Sequence, residues 1–366
     1  MTGEVVRPRW AAGQRVLPEF PWDRIAAFAA TARAHPGGIV DLSVGTPVDP
    51  TPSVVQDALR AAADAPGYPP AAGGADLLAA LRGWLGRTCG TPEDVAVAPS
   101  IGSKELVGLL PWLLGLGPGD VVIVPPLAYP TYAVGAALVG ATVSTTWRDD
   151  AVLVWLNSPA NPTGEVMPAA ELASAVARAR EAGVLVVSDE CYLEFGYDGV
   201  RPVSVLDPQV SGGSSEGVLA LHSLSKRSNL AGYRFGSAAG DPRVVSALLE
   251  IRRHAGFLVP APIQAAAAAA LRDEVHVAQQ RERYAHRRAQ LRTALHAAGF
   301  TVAQCPGGLY LWATRGEPCL TSVAWLAQRG ILVAPGDFYG ATGAAHIRIA
   351  LTATDERVTA AAARLA

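Results

Sequence analysis

The chain is 366 residues long, half of them apolar and 17% charged, with a formal net charge of −2 at pH 7. That composition excludes a disordered chain, and its near-neutral balance gives no electrostatic reason to expect nucleic acid or an anionic membrane as partner. The length suits one large or two medium domains with a sizeable core.

The opening, from Met1 to Trp10, is polar and interrupted by proline, with no apolar stretch of a secretory kind, and no apolar run reaches membrane-spanning length. Cys89, Cys191, Cys305 and Cys319 form no Cys-x-x-Cys pair and no metal-ligand spacing with histidine. They read as reduced thiols, no metal is expected, and a soluble cytoplasmic protein is. Further along, short β-branched runs alternate with Ala-rich helical stretches, the pattern of a wound α/β sheet. In chain order, runs at 95–98, 121–124, 152–156, 184–188, 218–222 and 235–239 predict strands, and helices are predicted over 104–114 and 168–182. Several of the strands are apolar throughout, as strands covered on both faces must be. Gly212-Gly213-Ser214-Ser215 reads as an exposed loop. One long helical stretch is predicted over 262–298, then strands at 309–312, 331–333 and 347–350. The expected architecture is α/β: a large domain over 39–265 with a central, mostly parallel sheet wrapped by helices, and a smaller α+β domain made of 1–38 and 266–366.

The positive charge is distributed unevenly between residue types. Twenty-eight arginines stand against two lysines, Lys104 and Lys226. Arginine replaces lysine where only charge is needed, but not where an amine must lose its proton and attack a carbonyl. Four segments end or follow predicted strands, where open α/β sheets place their ligands. Ser100-Ile101-Gly102-Ser103-Lys104 is a strand-to-helix turn, either an ordinary capped turn or a phosphate site made of free N–H groups. The loop from Asn157 through Asn161-Pro162-Thr163-Gly164 is either punctuation or a means of aiming an amide at a ligand. Asp189, in Ser188-Asp189-Glu190-Cys191-Tyr192, closes an apolar strand and needs a cationic partner if buried. His222-Ser223-Leu224-Ser225-Lys226, with Arg234 eight residues on, can hold an anion beside an amine.

Together these motifs resemble the fold type I pyridoxal-phosphate enzymes, the aspartate aminotransferase superfamily, over nearly the whole chain. Asn161 falls in the family's Asn-Pro-Thr-Gly, Asp189 and Tyr192 in its Asp-x-x-Tyr, Lys226 in its Ser-x-Ser-Lys with Arg234 at the expected distance, and Arg348 in its late Arg-Ile-Ala element. The resemblance implies pyridoxal 5'-phosphate as cofactor and assigns roles. Lys226 would bind the cofactor's aldehyde and shuttle the proton; Asp189 would pair with the ring nitrogen; Tyr192 and Asn161 would bond the phenolic oxygen; Tyr129 would stack on the ring. Gly102, Ser103, Lys104, Ser223 and Arg234 would hold the phosphate. Arg348, with Asn161 and Gly45, would take the substrate's α-carboxylate. Tyr68 would reach the phosphate of a partner subunit, implying a homodimer with shared sites.

Leu17-Pro18-Glu19-Phe20-Pro21-Trp22-Asp23, the run from His35 to Pro50, and the run from His254 to Pro262 look like the actinobacterial N-succinyldiaminopimelate aminotransferases of lysine biosynthesis, from which the short C-terminal part departs. Glutamate would then donate to N-succinyl-2-amino-6-oxopimelate. Arg252, Arg253 and His254 are either a basic helix end or the groups for its extra carboxylates. The alternatives are another class I/II aminotransferase (for aspartate, aromatic or branched substrates) and a C–S β-lyase on the same scaffold. A DNA-binding regulator built on this fold is disfavoured, because no basic segment is present.

Overall fold

Strands as apolar as Val218-Leu219-Ala220-Leu221 must be covered on both faces, and seven gather into one sheet. The computed structural model describes residues 21–366; Leu17, Pro18, Glu19 and Phe20 of the opening motif lie outside the described residues, as does the rest of 1–20. The order across the sheet is Ala96–Ser100, Gly236–Gly240, Val218–Ser223, Leu185–Asp189, Leu153–Asn157, Val121–Ile123, Thr142–Ser144. All neighbours run parallel except Gly236–Gly240, which is antiparallel to both of its partners.

Side chains alternate across this sheet and build two cores. Trp155, Val187, Leu219 and Leu221 pack on one face with Leu106, Leu110 and Tyr132. Val154, Val186 and Ala220 pack on the other with Leu81, Trp84 and Leu172. A third core lies around a four-stranded antiparallel sheet ordered Ala334–Pro335, Ile347–Ala350, Tyr310–Thr314, Thr301–Val302. Ile25, Val40 and Leu42 join that third core, and Val40–Asp41 pairs in parallel with Ile331–Leu332.

Several elements differ from expectation. The stretch over 262–298 is two helices, Ala261–Arg272 and Val275–Ala297. Asp273 is extended between them (ψ 109°), and its carboxylate accepts from the Val275 N–H at 2.9 Å, so it stops one helix and starts the next. The run at 331–333 splits into Ile331–Leu332 and Ala334–Pro335, which pair with different sheets. Thr142–Ser144 and Thr301–Val302 are short edge strands whose half-polar, two- or three-residue runs carry no periodicity to read.

Candidate active site

The carboxyl ends of the parallel strands open into a cavity of about 1000 Å³. Asn157, Asp189 and Ser223 are the last residues of their strands and line it, and Lys226 follows on the short helix Leu224–Arg227. The Ser223 hydroxyl accepts from the Ser225 N–H at 3.1 Å and caps this turn, which fixes the direction of Lys226. Lys226 Nζ donates to the carbonyl of Gly45. Burial lowers the Lys226 pKa, with the positive Arg348 and Arg234 adding to the effect against Tyr310 and Cys191.

Asp189 is 7% exposed. One carboxylate oxygen accepts from the Tyr132 hydroxyl at 2.8 Å and the other from the Cys191 N–H at 3.2 Å. Burial raises its pKa against those hydrogen bonds. The cationic partner expected for a buried aspartate is not a protein group: among the described residues Asp189 makes no ion pair. Alternation along the strand sends the next residue, Glu190, to the opposite face of the sheet. There its carboxylate accepts from the Val205 N–H at 2.8 Å and lies 3.0 Å from His222 Nε2. Cys89, Glu190 and His222 bring ligand atoms within 4.8 Å of one another, a cluster that no sequence spacing announced.

Arg348 is the mirror image of Asp189. It is 2% exposed, donates through Nη1 to Asn161 Oδ1 at 2.9 Å and through Nη2 to the Ser43 carbonyl, and keeps a buried Nε without a partner. Among the described residues no carboxylate reaches it. Asn161 is placed in turn by Asn157, whose Oδ1 accepts the Asn161 N–H at 2.8 Å while its amide donates to the Asp189 carbonyl at 2.8 Å. Tyr192 lies 3.0 Å, oxygen to oxygen, from Tyr310.

An anion cradle lies at one side of the cavity. Gly102 caps the helix Ser103–Leu113 at φ 78° and ψ 151°, a conformation essentially restricted to glycine, and no side chain caps the helix N–H groups. A Cβ on Gly102 would also run into the Arg234 guanidinium, and one on Gly236 would sit 2.5 Å from the Ser103 nitrogen. Both glycines thus keep this corner open for Ser103, Ser223 and Arg234, all of which line the cavity. Lys104 Nζ lies 5.9 Å from the ring centre of Tyr129, and both line the same cavity. Tyr68 is 97% exposed and lies outside the cavity lining.

The basic helix end does not reach the site. Arg252 is fully buried and bonds Glu105 at 2.7 Å, while Arg253 and His254 both pair with Glu250 at 3.0 Å. Glu105 sits in the first turn of the Ser103–Leu113 helix, so Arg252 braces the cradle from behind. Sequence reasoning also missed Tyr132, Tyr310 and the rim pair Arg24–Asp337 (2.8 Å). Tyr132 was visible three residues after Tyr129; Tyr310 and Arg24 had no local signal.

A glycine-lined cradle, a buried carboxylate without a cationic partner among the described residues and an amine of lowered pKa fit pyridoxal phosphate, the cofactor of the fold type I enzymes. Residues 38–365 match the family model described as aminotransferase class I and II. The chain belongs to that family and is a pyridoxal-phosphate-dependent aminotransferase. It is 56% identical to the 4-dedimethylamino-4-oxo-anhydrotetracycline transaminase OxyQ of Streptomyces rimosus, over 96% of this chain and 99% of that one. It is 59% identical to the probable aminotransferase Rv1178 of Mycobacterium tuberculosis, over 95% and 85%. It is 34% identical to an LL-diaminopimelate aminotransferase of Dehalococcoides mccartyi, over 96% of both. A solved aminotransferase from Neisseria meningitidis superposes with a TM-score of 0.86 at 29% identity, covering 95% of this chain and 97% of that one. Among the described residues no helix is long and apolar enough to cross a membrane.

Proposed function

We propose that this chain moves an amino group from glutamate to N-succinyl-2-amino-6-oxopimelate, with Lys226 as the proton carrier. The observation that carries the reading is the pair of buried, oppositely charged groups Asp189 and Arg348, without protein counter-ions among the described residues, facing one cavity with Lys226. Pyridoxal phosphate, when bound, supplies a ring that withdraws electrons from the substrate's Cα. Asp189 would hold the proton of the ring nitrogen, and Tyr192 and Asn161 would bond the phenolic oxygen. Gly102, Ser103, Lys104, Ser223 and Arg234 would take the phosphate, and Tyr129 would cover the ring. Arg348 would take the α-carboxylate through its planar fork, beside Asn161 and Gly45. Lys226 Nζ, whose lowered pKa favours the neutral amine, would carry a proton to and from Cα.

A long acceptor is supported by the cavity's size and by the likeness to a diaminopimelate aminotransferase. The exposed Tyr68 suits a contact across a homodimer. The separate cores support two domains, with Ala266 and Leu271 packed in the core of the larger sheet and Val40 and Leu42 in that of the smaller one. A second reading, a polycyclic ketone as acceptor, is favoured by the 56% identity to OxyQ and by the aromatic lining of Trp22, Tyr129 and Phe338.

The test is a visible absorbance titration of the cofactor-loaded protein with glutamate and then with N-succinyl-diaminopimelate. Bleaching by both supports the reading. Bleaching by glutamate alone discards the succinylated substrate, and release of pyruvate and ammonia from a cysteine conjugate would mark a β-lyase instead.

A further inference from the structure

We propose that Tyr310 is a further positioning residue of this active site, its hydroxyl holding Tyr192 and its ring seating the Arg348 guanidinium. The inference rests on the aminotransferase reading of the cavity. Tyr310 stands on the strand Tyr310–Thr314 of the four-stranded sheet, whereas Tyr192 follows a strand of the seven-stranded one. It is 3% exposed and lines the cavity. Its hydroxyl lies 3.0 Å from that of Tyr192, the rings meeting edge to face at 5.7 Å. Arg348 Cζ sits 4.0 Å from its ring centre, a stacking distance for a guanidinium on an aromatic face. Gly45 leaves the space: a Cβ there would run into the Tyr310 hydroxyl, and the Gly45 carbonyl is the acceptor of Lys226 Nζ. One side chain from the second sheet therefore touches Tyr192 and Arg348 and abuts the acceptor of Lys226.

The two parts of Tyr310 act differently. A hydroxyl that donates to the Tyr192 oxygen polarises it and makes its own proton a stronger donor toward a ligand. The ring offers a negative face to a desolvated cation and holds the guanidinium plane in place. The titratable groups facing this cluster include Asp189, Cys191, Lys226, Arg348, Tyr129, Tyr284 and Tyr339.

Tyr310→Phe and Tyr310→Leu separate these parts. In cofactor-loaded Tyr310→Phe, the pH midpoint of the visible band should rise by roughly 0.2–0.6 of a unit, since a weaker Tyr192 donor disfavours the form with more charge on the phenolic oxygen. That rise should vanish in a Tyr192→Phe background. Calorimetric titration with maleate, a carboxylate that does not react, should give a Kd within about twofold of wild type for Tyr310→Phe, but roughly 5- to 30-fold weaker for Tyr310→Leu. An unmoved midpoint in Tyr310→Phe, or equal maleate losses in the two variants, overturns the assignment. If the wild-type protein shows no visible band with pyridoxal phosphate, the cofactor reading falls instead, and the maleate titrations of the protein as purified still decide the case of Tyr310.

Discussion

Tyr132→Phe tests how Asp189 is kept ionised. The Tyr132 ring is fully buried and stacked on Trp155 at 4.7 Å, so the substitution keeps the packing and deletes one oxygen. Burial holds the phenol's pKa well above its ordinary value, so Tyr132 donates to Asp189 at any working pH. Among the described residues its 2.8 Å bond is the one side-chain hydroxyl bond to that carboxylate, and a hydrogen bond to a charged group is worth roughly 1.5–3 kcal/mol. At 1.36 kcal/mol per unit, its loss raises the Asp189 pKa by about 1–2 units. The sign follows from the anion being the functional form. Asp189 already has a raised pKa, so its ionised form disappears as pH falls, and without Tyr132 it disappears at a higher pH. The acid limb of kcat against pH should therefore move upward by about a unit, while turnover near pH 9 stays close to wild type. Stopped-assay rates from pH 5 to 9 measure it. An acid limb that stays in place would mean that Tyr132 does not support the charge of Asp189, and the electrostatic account of this site would be wrong.

Other outcomes follow from the same geometry. Lys226→Arg should fold and bind pyridoxal phosphate weakly but show no transamination, because guanidinium cannot be deprotonated to carry the proton; measurable turnover refutes this role. Asp189→Asn should lower turnover by roughly 10²-fold or more, yet raise the thermal midpoint of the cofactor-free protein. Because the folded-state pKa of Asp189 lies above its unfolded value, the ionised carboxylate costs stability above that pKa. The gain in Asp189→Asn should thus be largest at alkaline pH and shrink as pH falls toward the carboxylate range; calorimetry at several pH values would show a constant or negative difference if the sign is wrong. Gly102→Ala places a Cβ at φ 78° and against Arg234, at a cost of about 1–3 kcal/mol from the backbone alone. Pyridoxal phosphate should dissociate at least about fivefold more readily from it in a dialysis assay, and unchanged retention would remove Gly102 from the cradle.

The site was legible where chemistry is local in sequence. Lys226, Asp189 and Asn161 each lie within a few residues of a strand end, so pattern and position could be read together. The parallel strands were legible because covering on both faces forces continuous apolar runs such as Leu153–Asn157. What failed was long-range. Arg252 belongs by sequence to a basic helix end, and only the fold shows it consumed by Glu105, 147 residues away. Tyr310 reaches Tyr192 across 118 residues, with nothing in Gly307-Gly308-Leu309-Tyr310 to announce it. The break at Asp273 was missed because the Ala-rich helix propensity on both sides outweighs one aspartate, until its capping bonds to the second helix are seen.

The treatment of buried charge separates scaffold from site. Away from the cavity, Arg252 meets Glu105, Arg287 meets Asp49 at 2.7 Å, Arg288 meets Asp198 at 2.7 Å, and Arg227 meets Glu194. Each arginine there is neutralised by a carboxylate, as a desolvated charge must be. For three groups on the cavity side the rule lapses: among the described residues Asp189 is answered by a phenol, a thiol and an amide, Arg348 by carbonyl oxygens and aromatic faces, and Lys226 by one carbonyl. All three have permanent dipoles for partners, which orient a charge without cancelling it. Such partners leave Asp189 open to a cation and Arg348 to a carboxylate, and desolvation keeps both attractions strong. They also let Lys226 give up its proton, which a carboxylate at the same distance would prevent. On the proposed reading, the stability forgone at these positions is the source of the binding and of the reactivity, so substitutions that stabilise them in the cofactor-free protein should impair the loaded one.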